Sequence, residues 1–267
     1  MNQLPINEWI TKKYCNRWAG RLVVDGKYIK VKGYDKKIPF IYGIDYLTHD
    51  IPVGLLAPSE NELSYIKFFK ILKEVGYHPQ IIIADDNGAI RPALFDVFPH
   101  ARFQLCQVHY LENIRQQLGI RTQEQYRDFF YAMHRTFNTE WFYKKREAHL
   151  RYAYQKYGRD EVVQTILVDI MKRQTELFAY SYRMKYCPNT TNLIESYNSH
   201  MQARLKSIKS FQSFKSAQRW LNAWMLRRRT KPFTDCAKPF KHLNGKMSIQ
   251  MSLKKEKRLD EVLKLIY

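Results

Sequence analysis

Residues 21–31 read RLVVDGKYIKV, a run rich in β-branched residues, with Asp25 set directly behind Leu22-Val23-Val24. Branched side chains pack well on a pleated surface, so this run reads as a strand. Two more apolar runs follow, Lys37 to Leu47 (KIPFIYGIDYL) and Ile51 to Ala57 (IPVGLLA), with Thr48, His49 and Asp50 as the turn between them. Three strands joined by short polar links predict an antiparallel meander.

Past residue 57 the period changes. Pro58 and Ser59 start a helix in which Ser59-Glu60-Asn61-Glu62 reads as a capping box. Leu63, Ile66, Phe69 (or Phe68), Leu72 and Val75 step by three and four, as one buried helix face requires, and Gly76 stops it. Gln80 to Ala84 (QIIIA) is short and apolar throughout, the kind of strand buried on both faces. A helix over Ile90 to Phe98, a strand over Arg102 to Leu105 and a helix over Val108 to Leu118 come next. A meander followed by alternating strands and helices predicts an α/β fold, a mixed sheet covered by helices.

Residues 119–186 show no convincing strand. Phe129, Phe130, Met133, Phe137, Trp141 and Phe142 recur at helical spacing, and Tyr152, Tyr154, Tyr157, Ile166, Leu167, Ile170 and Leu177 continue the pattern. These aromatics read first as core stripes of amphipathic helices and second as a base-stacking platform. Cys187 to Asn192 breaks the chain and offers helix caps. A helix over Thr191 to Leu205, with Ile194, Tyr197, Met201, Leu205 and Ile208 on one face, and another over Phe211 to Arg228 follow.

Composition narrows the function. Lys plus Arg is 45 against 25 Asp plus Glu, a formal net charge of +20. An excess spread through a folded chain fits a nucleic acid better than a merely solvated surface or an acidic membrane, because each neutralised phosphate releases counterions. No apolar run reaches membrane-spanning length, and Met1 to Gly20 lacks a signal-peptide core, so a cytoplasmic protein with no membrane partner is expected. Cys15, Cys106, Cys187 and Cys236 are scattered and read as reduced thiols.

Three acids carry the chemistry. Asp25 lies in the first strand, Asp85 follows the Ile81-Ile82-Ile83-Ala84 strand, and Glu195 lies near the start of a late helix. Carboxylates from a central strand, from its neighbour's end and from a helix packed nearby can converge. Hard divalent cations take oxygen ligands, and two of them can clamp the attacking and leaving oxygens of a phosphodiester. Asp86 competes with Asp85 and reads as a cap of the next helix. Asp45 reads as structural, or as a spare acid near the site.

These blocks resemble Mutator-like and related bacterial insertion-sequence transposases of the DDE class. Val24-Asp25-Gly26-Lys27-Tyr28 looks like the first-aspartate motif. Ile83-Ala84-Asp85 with Ile90, Ala93, Phe95, Phe98-Pro99 and Ala101 resembles the second. Leu105-Cys106-Gln107-Val108-His109, then Asn113-Ile114, is similar to the C/D-x-x-H signature, and Thr191 to Asn198 resembles the third-acid helix, with Asn192 and Glu195 matching N-x-x-E. The resemblance implies a ribonuclease-H-like fold with an all-helical insertion before the last acid, and DNA cleavage and strand transfer at insertion-sequence ends with two Mg²⁺ ions, or Mn²⁺, on Asp25, Asp85 and Glu195. It implies transposon ends and target DNA as partners, a homodimer and a nucleoid-associated location. Cys106, His109 and Asn192 are given supporting roles; a buried Cys and a satisfied His at a strand–helix junction fit as well, and no second pair completes a zinc site.

From Ser196 to Thr234 there is no acid. Arg204, Lys206, Lys209, Lys215, Arg219, Arg227, Arg228 and Arg229 are therefore expected to bind phosphates, with Lys27, Lys30 and Lys32 beside Asp25. The expected layout is a catalytic core over 1–118, a helical insertion over 119–186, closing helices over 187–232 and a tail over 233–267. Members of the family usually carry an N-terminal DNA-binding domain, and 24 residues precede Asp25 here. Recognition of ends is thus expected to need a further part, and a domesticated DNA-binding remnant and a stand-alone nuclease are the rival readings.

Overall fold

The computed structural model describes residues 4–138, 143–181 and 186–267. The elements in chain order are α1 (Asn7–Tyr14), β1 (Arg21–Ile29), β2 (Ile38–Asp45), β3 (Gly54–Leu56), α2 (Glu62–Glu74), β4 (Ile81–Ala84), α3 (Ile90–Val97), β5 (Arg102–Leu105), α4 (Gln107–Gln117), α5 (Arg127–Asn138), α6 (Tyr143–Tyr157), α7 (Glu161–Lys172), α8 (Gln174–Leu177), α9 (Asn192–Leu205), α10 (Phe214–Thr230), α11 (Ser248–Ser252) and α12 (Leu259–Ile266). The strands form one mixed sheet in the order β3-β2-β1-β4-β5. With its flanking helices, this is a ribonuclease-H-like α/β arrangement.

The meander is present. β1 pairs antiparallel with β2 from Leu22↔Asp45 to Ile29↔Ile38, and β2 pairs antiparallel with β3. β1 and β4 run parallel, Arg21 to Val23 beside Ile81 to Ile83. Every residue of β2 and β4 is buried, as expected of central strands covered on both faces. β3 is a short edge strand, and Gly54 lets α10 approach it: an added Cβ would stand 2.6 Å from Met225 Sδ.

The chain divides into two compact units, Met1–Arg102 with Thr191–Tyr267, and Phe103–Thr190. In the first, α2 forms, but with its buried face shifted. Tyr65, Phe68, Phe69 and Leu72 are inside while Leu63 is 75 % exposed, because Leu63 lies in the first turn on the outer side. The capping box is also displaced. Asn61 is the N-cap and accepts from Ser64 N–H at 3.0 Å. Glu60 is left outside the helix, which frees its carboxylate. Asp86 does not cap α3, whose N-cap is Ala89.

Residues 233–267, expected as a tail, fold onto α1. Ile10, Tyr14 and Cys15 pack with Leu226, Ile249, Leu253 and Val262. Beside this cluster lies a buried ion pair: Arg229 Nε and Nη2 each donate to Asp50 at 2.8 Å, and Nη1 donates to Asn7 Oδ1 at 2.7 Å and Thr11 Oγ1 at 2.9 Å.

In the second unit, the described residues past β5 form no strand. Phe129, Met133, Phe137, Ile166, Leu167, Ile170 and Leu177 are buried, and Phe137 lies between Tyr110 (5.8 Å) and Phe178 (5.2 Å). Tyr152 and Tyr154 instead face solvent, since α6 buries Leu150 and Ala153. Trp141 and Phe142 lie outside the described residues.

Candidate active site

The first unit positions all three acids. The last registered β1–β4 pair is Val23↔Ile83. Asp25, in the middle of β1, and Asp85, the first residue past the end of β4, each lie two residues beyond that pair, and the negative charge of Asp85 is felt at Asp25. Pairing with β4 stops before Asp25. Across β1, Asp25 is paired with Tyr42 of β2.

α9 brings the third acid. Tyr197 and Ile194 are buried on its inner face, and the Tyr42 hydroxyl donates to Asn198 Oδ1 at 2.9 Å, which pins α9 over β1 and β2. Thr191, the α9 N-cap, makes no side-chain cap bond; its hydroxyl stands 2.8 Å from Glu195 Oε1 and 3.3 Å from Asp85 Oδ1. One buried hydroxyl thus touches two of the three acids. Asp25 is tied to the same helix, because Asn198 Nδ2 donates to Asp25 Oδ2 at 2.5 Å while Gly26 N–H donates to Oδ1 at 2.7 Å.

Electrostatics agree with this crowding. Burial pushes the Asp25 carboxyl up to about 6; the Gly26 N–H opposes the shift, the negative charge of Asp85 adds to it, the Asn198 amide opposes it, and Glu60 adds a smaller push. Like charges held near one another favour the proton-bound form unless a cation intervenes. The donor set is carboxylate oxygen throughout, the chemistry that hard divalent ions such as Mg²⁺ or Mn²⁺ require.

Glu60 was missed by sequence reasoning, which assigned it to a helix cap. It accepts from the Tyr65 hydroxyl at 2.5 Å and from the Tyr28 hydroxyl, and a Cβ on Gly26 would stand 3.0 Å from its Oε1. Glycine beside Asp25 is what makes room for this carboxylate. The hydrogen bond to Glu60, more than burial, raises the Tyr28 phenol to about 12. Asn198 was also missed, although it lies one helical turn beyond Glu195.

The remaining candidates separate. Asp86 is exposed and Asp85 half-buried. Asp45 is structural: Ala19, Gly20 and Thr48 N–H groups and the Thr48 and Tyr77 hydroxyls all donate to its buried carboxylate. Asn192 is exposed at the start of α9. Cys106 and His109 belong to the second unit, Cys106 fully buried as the N-cap of α4 and His109 half-buried in its first turn.

Among the basic residues, Arg204, Lys206, Lys209, Lys215, Arg219 and Arg227 are exposed. Arg228 stacks its guanidinium on Tyr197 at 4.4 Å. Arg229 departs from expectation. It is fully buried and paired with Asp50, so it has no access to a phosphate. Lys27, Glu195, Asn198, Ser199, Gln202 and Lys206 line one groove of about 430 Å³. Lys215 and Arg219 line a different cavity, with Phe40, Leu56 and Met225.

No helix among the described residues is long and apolar enough to cross a membrane. The chain is 25% identical over 233 residues to proteins from Staphylococcus aureus and Enterococcus faecalis, each described as transposase for insertion sequence element IS256 in transposon Tn4001. These matches cover 83% of this chain and 58% of each relative. It is also 25% identical over 161 residues to the transposase for insertion sequence element IS1201 of Lactobacillus helveticus, covering 58% of this chain and 42% of the relative. The family described as "Transposase, Mutator family" matches residues 5–231, and with that match the chain belongs to the Mutator family of transposases.

Proposed function

We propose that this chain carries the catalytic centre of a cut-and-paste DNA transposase, with Asp25, Asp85 and Glu195 as the ligands of two divalent cations. What supports the reading is a set of hydrogen bonds that ties the three acids to the start of α9. Asp25 lies on β1 and Asp85 directly follows the neighbouring β4, Thr191 touches both Asp85 and Glu195, and Asn198 ties Asp25 to the helix that bears Glu195. Bound there, Mg²⁺ or Mn²⁺ would stabilise charge on the attacking and leaving oxygens of a phosphodiester.

The chain's own groups do the rest. Asn198 and the Gly26 N–H orient the Asp25 carboxylate, and the Thr191 hydroxyl donates to Glu195 at 2.8 Å with Asp85 as its alternative acceptor at 3.3 Å. Lys27 and Lys206, which line the same groove as Glu195, neutralise backbone phosphates near the scissile bond. Arg204, Lys209 and Arg227 extend the positive surface. The partners are transposon-end and target DNA. Two ends must be joined, so the working form is a homodimer.

Asp25→Ala, Asp85→Ala and Glu195→Ala are expected each to abolish Mg²⁺-dependent cleavage of an end-bearing DNA while leaving DNA affinity within about threefold. Metal-dependent cleavage at the parental rate in all three variants would overturn the assignment. A precut 3′ end separates the transposase from a nuclease: joined product is expected, and hydrolysis without joining would point to a nuclease.

A further inference from the structure

We infer that Asn198 is a positioning residue for the metal centre, acting through Asp25, with the buried Tyr42 fixing which way its amide points. The inference rests on the two-cation reading of Asp25, Asp85 and Glu195. An amide side chain has a donor end and an acceptor end of nearly equal shape, and its neighbours decide the orientation. Here the acceptor end takes the Tyr42 hydroxyl at 2.9 Å and the donor end faces Asp25 Oδ2 at 2.5 Å. The flipped amide would set an oxygen against a carboxylate oxygen.

Tyr42 cannot drift. It is fully buried, stacked on Phe40 with ring centroids 5.2 Å apart and met edge-on by Trp224 at 5.8 Å. The order of donation therefore runs from Tyr42 to Asn198 to Asp25. Each Asp25 oxygen then carries one protein donor, Gly26 N–H on Oδ1 and Asn198 on Oδ2. Two bonds on opposite oxygens fix the plane of a carboxylate that otherwise rotates freely, and each oxygen keeps a lone pair for a cation.

Asn198 and Glu195 lie one turn apart on α9, so one helix supplies an acid and the group that orients another. Partners of this kind, one bond removed from the metal, change its affinity by about 10- to 100-fold when lost.

The test uses Asn198→Ala and Tyr42→Phe in the full chain, with Asp25→Ala as reference. Mn²⁺ binding is read by calorimetry without DNA, and the Mg²⁺ concentration for half-maximal cleavage is read with DNA. For Asn198→Ala both are expected to weaken about tenfold or more, with most of the rate restored at saturating Mg²⁺. Tyr42→Phe is expected to weaken both by a smaller factor, and the double variant to be no worse than Asn198→Ala alone. Unchanged Mn²⁺ affinity and Mg²⁺ dependence in Asn198→Ala, or fully additive losses in the double variant, would overturn the inference. If Asp25→Ala abolishes cleavage while Asn198→Ala behaves as parent, only this inference fails. If Asp25→Ala also cleaves normally, the catalytic reading fails with it.

Discussion

His49 holds a left-handed backbone at φ 55° and sits buried between Phe240 (4.4 Å) and Phe233 (5.7 Å). Among the described residues its Nε2 finds no hydrogen-bond partner. Burial, and to a lesser degree the charges of Arg228 and His242, lower its pKa to about 4. Between that value and the ordinary 6.5 the unfolded chain binds a proton that the folded chain refuses, so stability falls as pH drops through this window. At roughly 1.4 kcal/mol per pH unit, the loss between pH 6.5 and pH 4.5 is about 2–3 kcal/mol. His49→Asn keeps the left-handed backbone accessible, and urea denaturation across that range should show a flatter slope than the parent. Single residues were unevenly legible. Asp25 and Asp85 stood out because a charge behind three or four apolar residues breaks a pattern. Glu60 and Asn198 did not, because each lies among polar residues, and only the folded chain shows Glu60 meeting Tyr28 and Tyr65 and Asn198 meeting Asp25.

At the scale of elements, the period of α2 was legible and its phase was not. Spacing by three and four identifies a helix, but Leu63 and Tyr65 both fit such a series, and contact with the sheet side selects Tyr65. Phe68→Ala should therefore cost about 3–5 kcal/mol in chemical denaturation, while Leu63→Ala should stay within about 0.5 kcal/mol of the parent. Equal losses would place the buried face wrongly. The same ambiguity affected α6, where aromatic content pointed inward for Tyr152 and Tyr154 while Leu150 and Ala153 take the core. β4 was legible, since a short strand buried on both faces has no phase to mistake. The α1 contact with α10 and α11 was invisible, because its partners are far apart in sequence and none forms a recognisable motif.

For the molecule as a whole, a net charge of +20 places binding and folding in competition for arginines. Arg229 serves folding. Arg229→Met leaves Asp50 as a buried charge without its cation and should cost about 3–5 kcal/mol in stability, with DNA affinity of the folded fraction unchanged. Lys206→Ala should do the reverse: stability holds, while the slope of log binding constant against log salt falls in magnitude by about 1, measured by fluorescence anisotropy on end DNA. The discontinuity of the first unit has a further consequence for how the protein is made. A ribosome delivers Asp25 and Asp85 well before α9, so a growing chain holds two acids without the third. α1 must wait still longer, since Asn7 meets Arg229, 222 positions later. Contacts so distant in sequence form late and slowly. A chain halted inside the second unit therefore holds Asp25 and Asp85 but has neither Glu195 nor the exposed Arg204, Lys206 and Lys209 that follow it, so on the two-cation proposal it would lack both the full ligand set and much of the phosphate-binding surface.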